Sequence, residues 1–302
     1  MSGVQVLDQG WHEDMPMEEY LSLPLVSSSA LTIIQQRPPA YLKWALHNKD
    51  SGETTAAKSM GSLAHTAILE PDLLEATYIV EPDPDPEVFT TSTGKPSSNP
   101  RATGAWKEMI AGLEASGKTV VTADEWASAL EMRDALWRNK RARQLLQATG
   151  PVEISGIVVE PETGVPCKIR PDKLVPAIGA NVNLKTTDNA HPTAFSRSVY
   201  SFRYDRSMAF YKIMLDALGF EHRRPIIIAA ETNGPKLVAV RELDEGTMYA
   251  GEEQARALLR KIARCFDRDE WPGYPDEVES QALPHWAWAK RDEELQEIEH
   301  GY

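Results

Sequence analysis

After Gly150 the apolar pattern of the chain changes period, from the three-to-four spacing of helices to the alternation of strands. Ahead of that point, Ser27-Ser28-Ser29 followed by Ala30, Leu31, Ile33 and Ile34 predicts a hydroxyl-capped helix that the Pro38-Pro39 pair interrupts or ends. A second helical stretch runs from Tyr41 to His47. The run from Ala56 to Glu70 is again helical by period, with Met60, Leu63, Ala67 and Leu69 turned inward and Pro71 as its stop. The segment from Glu81 to Gly104 is rich in Pro, Ser, Thr and Gly and predicts a mobile loop. It holds Gly94-Lys95, but Pro96 stands where a phosphate-binding Walker loop needs Ser or Thr. Helices are expected next from Ala105 to Ala115 and from Ala123 to Gln147.

Past Gly150, the stretches Ile154 to Val159, Pro166 to Val175 and Val182 to Thr187 predict a three-strand meander. One long helix from Pro192 to Leu218 follows. Two strands, Pro225 to Glu231 and Lys236 to Leu243, are joined through Asn233-Gly234, a hairpin turn signal. A helix from Asp244 to Phe266 precedes a tail whose Trp271, Trp286 and Trp288 are expected to dock on the body or on a neighbouring subunit. Strands, helix and strands after a mostly helical half define an α/β chain, and no internal repeat is present.

Composition narrows the chemistry. The formal charge is -13, so no global positive field draws the chain onto a polyanion, and any phosphate site must be a local group of Lys and Arg. Such groups exist: Arg138, Lys140, Arg141 and Arg143; Arg197, Arg203 and Arg206; Arg256, Arg260, Lys261 and Arg264. Each is also readable as a solvated helix face. The two cysteines, Cys167 and Cys265, supply no disulfide framework, four-cysteine zinc site or iron–sulfur cluster, and they fit a reducing cytoplasm. The acidic N-terminus has neither the basic nor the apolar region of an export signal, and no apolar run is long enough to span a bilayer.

The chemistry-bearing stretch is Glu153, Arg170-Pro171-Asp172 and Asn183-Leu184-Lys185. It is expected to place Asp172 on one strand and Lys185 on the next. Alternation puts Asn183 and Lys185 on one face, with Val182 and Leu184 on the other. A metal nuclease needs this grouping, because Mg²⁺ on oxygen ligands lowers the pKa of a bound water and neutralises charge on a phosphate. By themselves, one Asp and one Lys on neighbouring strands also read as a surface ion pair.

The chain resembles the RecE-like branch of the PD-(D/E)XK nucleases, phage and prophage exonucleases related more distantly to the RecB and lambda exonuclease nuclease domains. The resemblance spans roughly residues 18 to 265. It rests on Tyr20-Leu-Ser-Leu-Pro24, Ser27-Ser-Ser-Ala-Leu31, Arg37-Pro-Pro-Ala-Tyr41, Gly61-Ser-Leu-Ala-His65 and Leu69-Glu-Pro71. It continues through Glu153, Cys167-Lys-Ile-Arg-Pro-Asp172, Leu184-Lys-Thr-Thr187, Phe195 and the stretch from Tyr204 to Tyr211.

The resemblance implies a restriction-endonuclease-like α/β fold, a mixed central sheet flanked by helices. Residues 1–150 would form a helical half that contributes to the active site, 151–268 the nuclease core and 269–302 a tail. It implies metal coordination by Asp172, the position of Asn183 and His65 of the Gly-x-x-x-His motif, with Lys185 orienting water or stabilising the transition state. Glu153 is a second or water-mediated carboxylate, or else a strand-edge charge. Taken alone, His65 reads as a capped or core histidine. Ser28 and Ser29 at a helix start would accept a terminal phosphate, and Arg197, Arg203 and Arg206 would track the strand. Tyr204, Ser207 and Tyr211 share a face at i, i+3 and i+7 and would point toward the site.

The implied activity is Mg²⁺-dependent (Mn²⁺ as substitute) digestion of double-stranded DNA from the 5′ end, leaving 3′ single strands for a phage annealing protein. Relatives form rings, so a homo-oligomer encircling DNA is implied too. Two positions depart from the family pattern. Asn183 replaces the usual Asp or Glu and removes a negative charge that Mg²⁺ prefers. It is a deliberate substitution or a natural variant that is weakened, compensated or inactive. Ser207 replaces a usual glutamine. Asp188 reads as a substitute carboxylate or as the cap of the helix near Pro192. The rival class is a catalytically silent DNA-end-binding or assembly protein.

Overall fold

The structure, a computed structural model, describes residues 8–48 and 56–301. Residues 1–7, the start of the segment read above as free of an export signal, lie outside that part. The elements begin with β1 (Gly10–His12), α1 (Met17–Ser22), α2 (Ser28–Gln36), α3 (Pro39–His47), α4 (Ala56–Leu69), α5 (Leu74–Thr77) and β2 (Tyr78–Val80). Next come α6 (Gly104–Glu114), β3 (Thr119–Val121), α7 (Ala123–Arg138), α8 (Lys140–Gln147), β4 (Ser155–Val159), β5 (Pro166–Ile169) and β6 (Lys173–Val175). The last are β7 (Ala180–Thr187), α9 (Pro192–Ser201), α10 (Tyr204–Ala217), β8 (Arg224–Glu231), β9 (Val238–Glu242), α11 (Glu245–Arg268) and α12 (His285–His300). The chain divides into two compact units, one ending at Trp271 and one beginning at Pro272 and containing α12.

The central sheet is mixed, in the order β6-β7-β8-β9: β7 pairs antiparallel with β6 and parallel with β8, and β8 pairs antiparallel with β9. Helices cover both faces. Val182, Leu184, Ile226 and Ile228 pack with Ala64, Ile68, Met132 and Leu136 of α4 and α7, while Ile227 and Ala229 pack with Phe195, Met208 and Met248. The predicted hairpin is present, with Gly234 at φ +57, a left-handed conformation that glycine adopts without Cβ strain.

Three expectations are corrected. The stretch from Ile154 to Thr187 is not one meander, because the run from Pro166 to Val175 breaks at Arg170-Pro171-Asp172. Pro171 has no N–H to give a ladder, so β5 ends there in a sheet ordered β1-β4-β5, and the chain crosses to the central sheet to begin β6. Asp172 therefore sits in the crossover, not on a strand. The helical run from Pro192 to Leu218 breaks at Phe202-Arg203, where Arg203 takes φ +57. The run from Ala123 to Gln147 breaks at Asn139, whose side chain accepts from the Arg141 and Ala142 amides and so starts α8.

The segment expected as a mobile loop is irregular but pinned. Phe89 is buried and meets Trp106 edge-on, with ring centroids 4.7 Å apart. The short strands β1, β2 and β3 escaped sequence reading, since three residues carry too little alternation to register.

Two packing features hold the frame around the site. Gly251 of α11 lies so close to α10 that a Cβ there would stand 2.5 Å from the Asp205 carbonyl oxygen. Lys168 of β5 is buried, and its Nζ donates to the carbonyls of Tyr20 and Leu23 at 2.7 Å and of Leu21 at 3.3 Å, fastening the end of α1. Gly251→Ala is expected to lose about 1–3 kcal/mol of stability through overpacking, read from urea unfolding.

Burial pulls the Lys168 ammonium down to about 8 from its ordinary 10.5. Between those values the unfolded chain holds the proton and the folded chain does not, so stability rises with pH across that window. Wild type should gain about 2 kcal/mol over Lys168→Met between roughly pH 7.5 and 10. A pH-independent difference between the two proteins would mean that Lys168 is not desolvated.

Candidate metal centre

The centre is organised by the backbone of one residue of β7, Leu184. Strand β6 is three residues long and ends opposite Val182, so no strand reaches Leu184 on that edge. Side chains take the place of the missing strand. Asp172 Oδ2 accepts the Leu184 N–H at 2.6 Å, and His65 Nε2 meets the Leu184 carbonyl at 3.0 Å. The carbonyl can only accept, so the His65 proton sits on Nε2 and Nδ1 keeps its lone pair. That lone pair faces Asp172 Oδ2 at 3.8 Å. Burial lowers the His65 pKa, the Lys185 charge adds to the effect, and Asp172 opposes it. A neutral imidazole with Nδ1 open is the form that ligates metals.

His65 comes from α4, which lies directly on β7. A Cβ at Gly61, one turn earlier, would touch Thr186 Oγ1 at 3.7 Å, an ordinary contact. Glu153 reaches the same place from the segment between α8 and β4. Its N–H donates to the Asp172 carbonyl at 3.2 Å, and its φ is +48, an uncommon conformation for a residue with a side chain. Glu153 is buried, and its Oε2 accepts from Arg170 Nε at 3.1 Å.

Arg170 also donates to the Met15 carbonyl at 2.8 Å and to Ser155 Oγ at 2.9 Å. Burial pushes the Glu153 carboxyl up to about 8, the Asp172 carboxylate adds to the rise, and Arg170 works against it. One ligand atom each of His65, Glu153 and Asp172 lies within 4.8 Å of the others. Two ligands of one Mg²⁺ at about 2.1 Å can stand no more than about 4.2 Å apart, and the 3.8 Å His65–Asp172 separation meets that limit. Two carboxylates and an imidazole are a donor set that suits a divalent cation.

Asn183 and Lys185 share a face of β7, as alternation predicts. Lys185 Nζ donates to Asn183 Oδ1 at 2.9 Å and stands 5.8 Å from the centroid of the Tyr204 ring. Asn183 Nδ2 makes a long 3.5 Å contact to Asn181 Oδ1. Tyr211 donates its hydroxyl to the Arg170 carbonyl at 3.0 Å, and Ser207 Oγ lies 3.1 Å from Ser28 Oγ. Tyr211 thus contacts the crossover, Ser207 the start of α2 and Tyr204 the ammonium of Lys185. A cleft of about 1010 Å³, bounded by Tyr20, Ser27, Ser28, Ser29, Lys168 and Tyr211, opens at that start.

Other candidates lie apart or are engaged elsewhere. Arg206 is 1% exposed, with its guanidinium on Gln35 Oε1 and, at 2.7 Å, on Thr32 Oγ1, so it joins α10 to α2 and presents no surface charge. Ser29 Oγ pairs with Ser27 Oγ at 2.8 Å, Arg197 is exposed on α9, and Arg203 stacks over Tyr200. Asp188 neither caps α9 nor joins the cluster. Its Oδ1 lies 3.4 Å from Thr232 Oγ1 and 3.5 Å from Asn233 Nδ2, at the hairpin turn.

Arg256 and Arg260 are tied to Glu162, and Lys261 to the Ile34 carbonyl, so that basic face is internally engaged. Sequence reading missed Arg170 as the partner of Glu153, although it stands two residues from Asp172. It also missed Glu70, which follows α4 and whose charge helps raise Glu153.

Fold and cluster together define a PD-(D/E)XK nuclease-like protein. The chain belongs to the family described as PDDEXK-like domain of unknown function (DUF3799), which matches residues 27–284. A solved protein from Eubacterium rectale, provisionally named an exonuclease, shares the fold with a TM-score of 0.58 and 13% identity. The match covers 95% of this chain and 98% of that one. No curated protein matches. Among the described residues, no helix is long and apolar enough to cross a membrane.

Replacing Asp172 tests the structural half of the centre. Asp172→Ala orphans the buried Leu184 N–H and should cost about 1–3 kcal/mol in urea unfolding, whereas Asp172→Asn keeps an oxygen acceptor and should cost less than about 1. Equal losses would mean that the charge, not the acceptor, holds Leu184.

Proposed function

We propose that the chain is a divalent-metal-dependent exodeoxyribonuclease that hydrolyses linear double-stranded DNA from its 5′ end, with Mg²⁺ or, in its place, Mn²⁺. The observation that carries this reading is the convergence of His65, Glu153 and Asp172 beside Lys185. When bound, a divalent ion lowers the pKa of a coordinated water and offsets charge building on the phosphate.

His65 Nδ1 and the carboxylates of Asp172 and Glu153 would hold that ion, with Leu184 fixing the first two in place. Lys185, steadied by Asn183 Oδ1 and the Tyr204 ring, directs an ammonium at the reacting phosphate. The uncapped first turn of α2, with Ser28 and Ser29, would take the terminal phosphate. Tyr204, Ser207 and Tyr211 would line the strand's path, and Arg197 and Arg203 would supply phosphate contacts. Polarity, ring assembly and delivery of the 3′ strand to an annealing protein extend the resemblance to RecE-like exonucleases.

A second reading, a silent DNA-end-binding protein, is favoured by Asn183. An amide there brings no charge to a cation, and its oxygen is engaged by Lys185. Digestion of linear duplex with Mg²⁺ separates the two. Asn183→Asp is expected to raise the rate at least about tenfold through tighter metal binding, and Lys185→Ala to lower it about 10²–10³-fold. Activity in neither wild type nor Asn183→Asp would leave the silent reading standing.

A further inference from the structure

The corner between α9 and α10 carries two rings, Tyr200 and Phe202, to which the centre gives no role. Tyr200 and Phe202 are each 67% exposed, an unusual amount of bare aromatic surface at one bend. The bend is formed by Arg203 at φ +57, a conformation that a non-glycine residue rarely adopts and that persists only where the surroundings impose it. The bend carries two aromatic contacts, one between rings and one between a ring and a guanidinium. Phe202 stacks on Tyr204 with centroids 5.6 Å apart and planes at 27°, and the Arg203 guanidinium lies 4.6 Å from the centroid of the Tyr200 ring. Tyr204 is the ring beside which Lys185 Nζ stands at 5.8 Å. The exposed ring of Phe202 is therefore two contacts from the ammonium at the candidate centre.

We infer that this corner is a base-stacking platform that holds unpaired nucleotides of a DNA strand next to the reacting phosphate. The inference rests on the nuclease reading for its substrate and adds a site for single-stranded bases to it. Exposed rings interleaved with arginine are the chemistry that binds single strands without regard to sequence, because every base presents a π-face and every nucleotide a phosphate. At 3.4 Å of rise per nucleotide, Phe202 lies within about three steps of a phosphate at Lys185, so the platform engages the frayed end of the duplex. A second cation, Arg197, is exposed on the same helix as Tyr200, while the pocket on the other side of Tyr200 is of mixed charge, with Asp205, Arg241, Glu242 and Asp244.

The test is binding of the full chain to a duplex with a short unpaired end carrying 2-aminopurine, in EDTA so that no strand is cut. Wild type should quench the base. Phe202→Ala and Tyr200→Ala should each weaken binding by roughly 5- to 100-fold and reduce the quench, while Phe202→Trp should keep both. Both positions are exposed, so the alanine variants should keep the wild-type unfolding midpoint.

A double variant that binds and quenches like wild type overturns the platform, as does a wild-type chain that leaves the base unquenched, the result expected if the rings dock a protein. The two readings fail separately. Phe202-dependent quenching with no cutting even by Asn183→Asp sustains the platform and removes the hydrolysis, and cutting with unchanged quenching in the double variant does the reverse.

Discussion

The N–H and C=O of Leu184 are the point on which the centre depends. A strand that outruns its neighbour leaves such groups without partners, and each buried orphan costs free energy comparable to a lost hydrogen bond. Here β6 stops short, and the deficit is met by a carboxylate on the amide and an imidazole on the carbonyl. The same two bonds that complete the sheet aim Asp172 Oδ2 and His65 Nδ1 at each other. Structural satisfaction and chemical positioning are thus one arrangement, and β7 cannot shift by a residue without losing both.

Around that point the molecule buries charge and satisfies it with donors and acceptors in place of solvent. Glu153 lies against Arg170, Lys168 against three carbonyls, and Arg206 against Gln35 and Thr32. Desolvating an ion costs several kcal/mol, so these groups are poor candidates for stabilising the fold and good ones for fixing geometry. Lys168 and Arg206 each tie a helix of the first half of the chain to a strand or helix of the second, and the Glu153–Arg170 pair ties the segment before β4 to the crossover after β5. The residues that hold the groups of the cluster in place are therefore hidden, and the surface charges carry less of that burden.

Most of the fold was legible because period and punctuation agree. The strands β7, β8 and β9, the Asn233-Gly234 hairpin and the helices α2, α4 and α11 follow from alternation, proline stops and caps, whereas the mixed pairing of the sheet was implied only by the family resemblance. The breaks at Asn139 and Arg203 were not, because each interrupts an uninterrupted helical period, and the interruption is set by tertiary partners: Asn139 Nδ2 donates to the Val238 carbonyl 99 residues away. In the centre, Asp172, Lys185 and His65 were found by motif resemblance. Their common anchor was not, since Leu184 acts through its backbone and its side chain reads only as core. Arg206 was misread for the opposite reason: a cation in a basic cluster looks exposed until the helix that covers it is known.

The anchor also fixes when the centre comes into being. His65 and Leu184 are 119 residues apart in the chain, and Asp172 reaches Leu184 across only 12. A chain emerging from synthesis has α4 and its imidazole before β7 exists to receive them, and closing that span costs more chain entropy than closing the short one. Ligand assembly accordingly requires both halves of the chain to be in place. Fragments and partly folded intermediates lack the three-donor constellation, which confines any hydrolytic capacity to finished molecules.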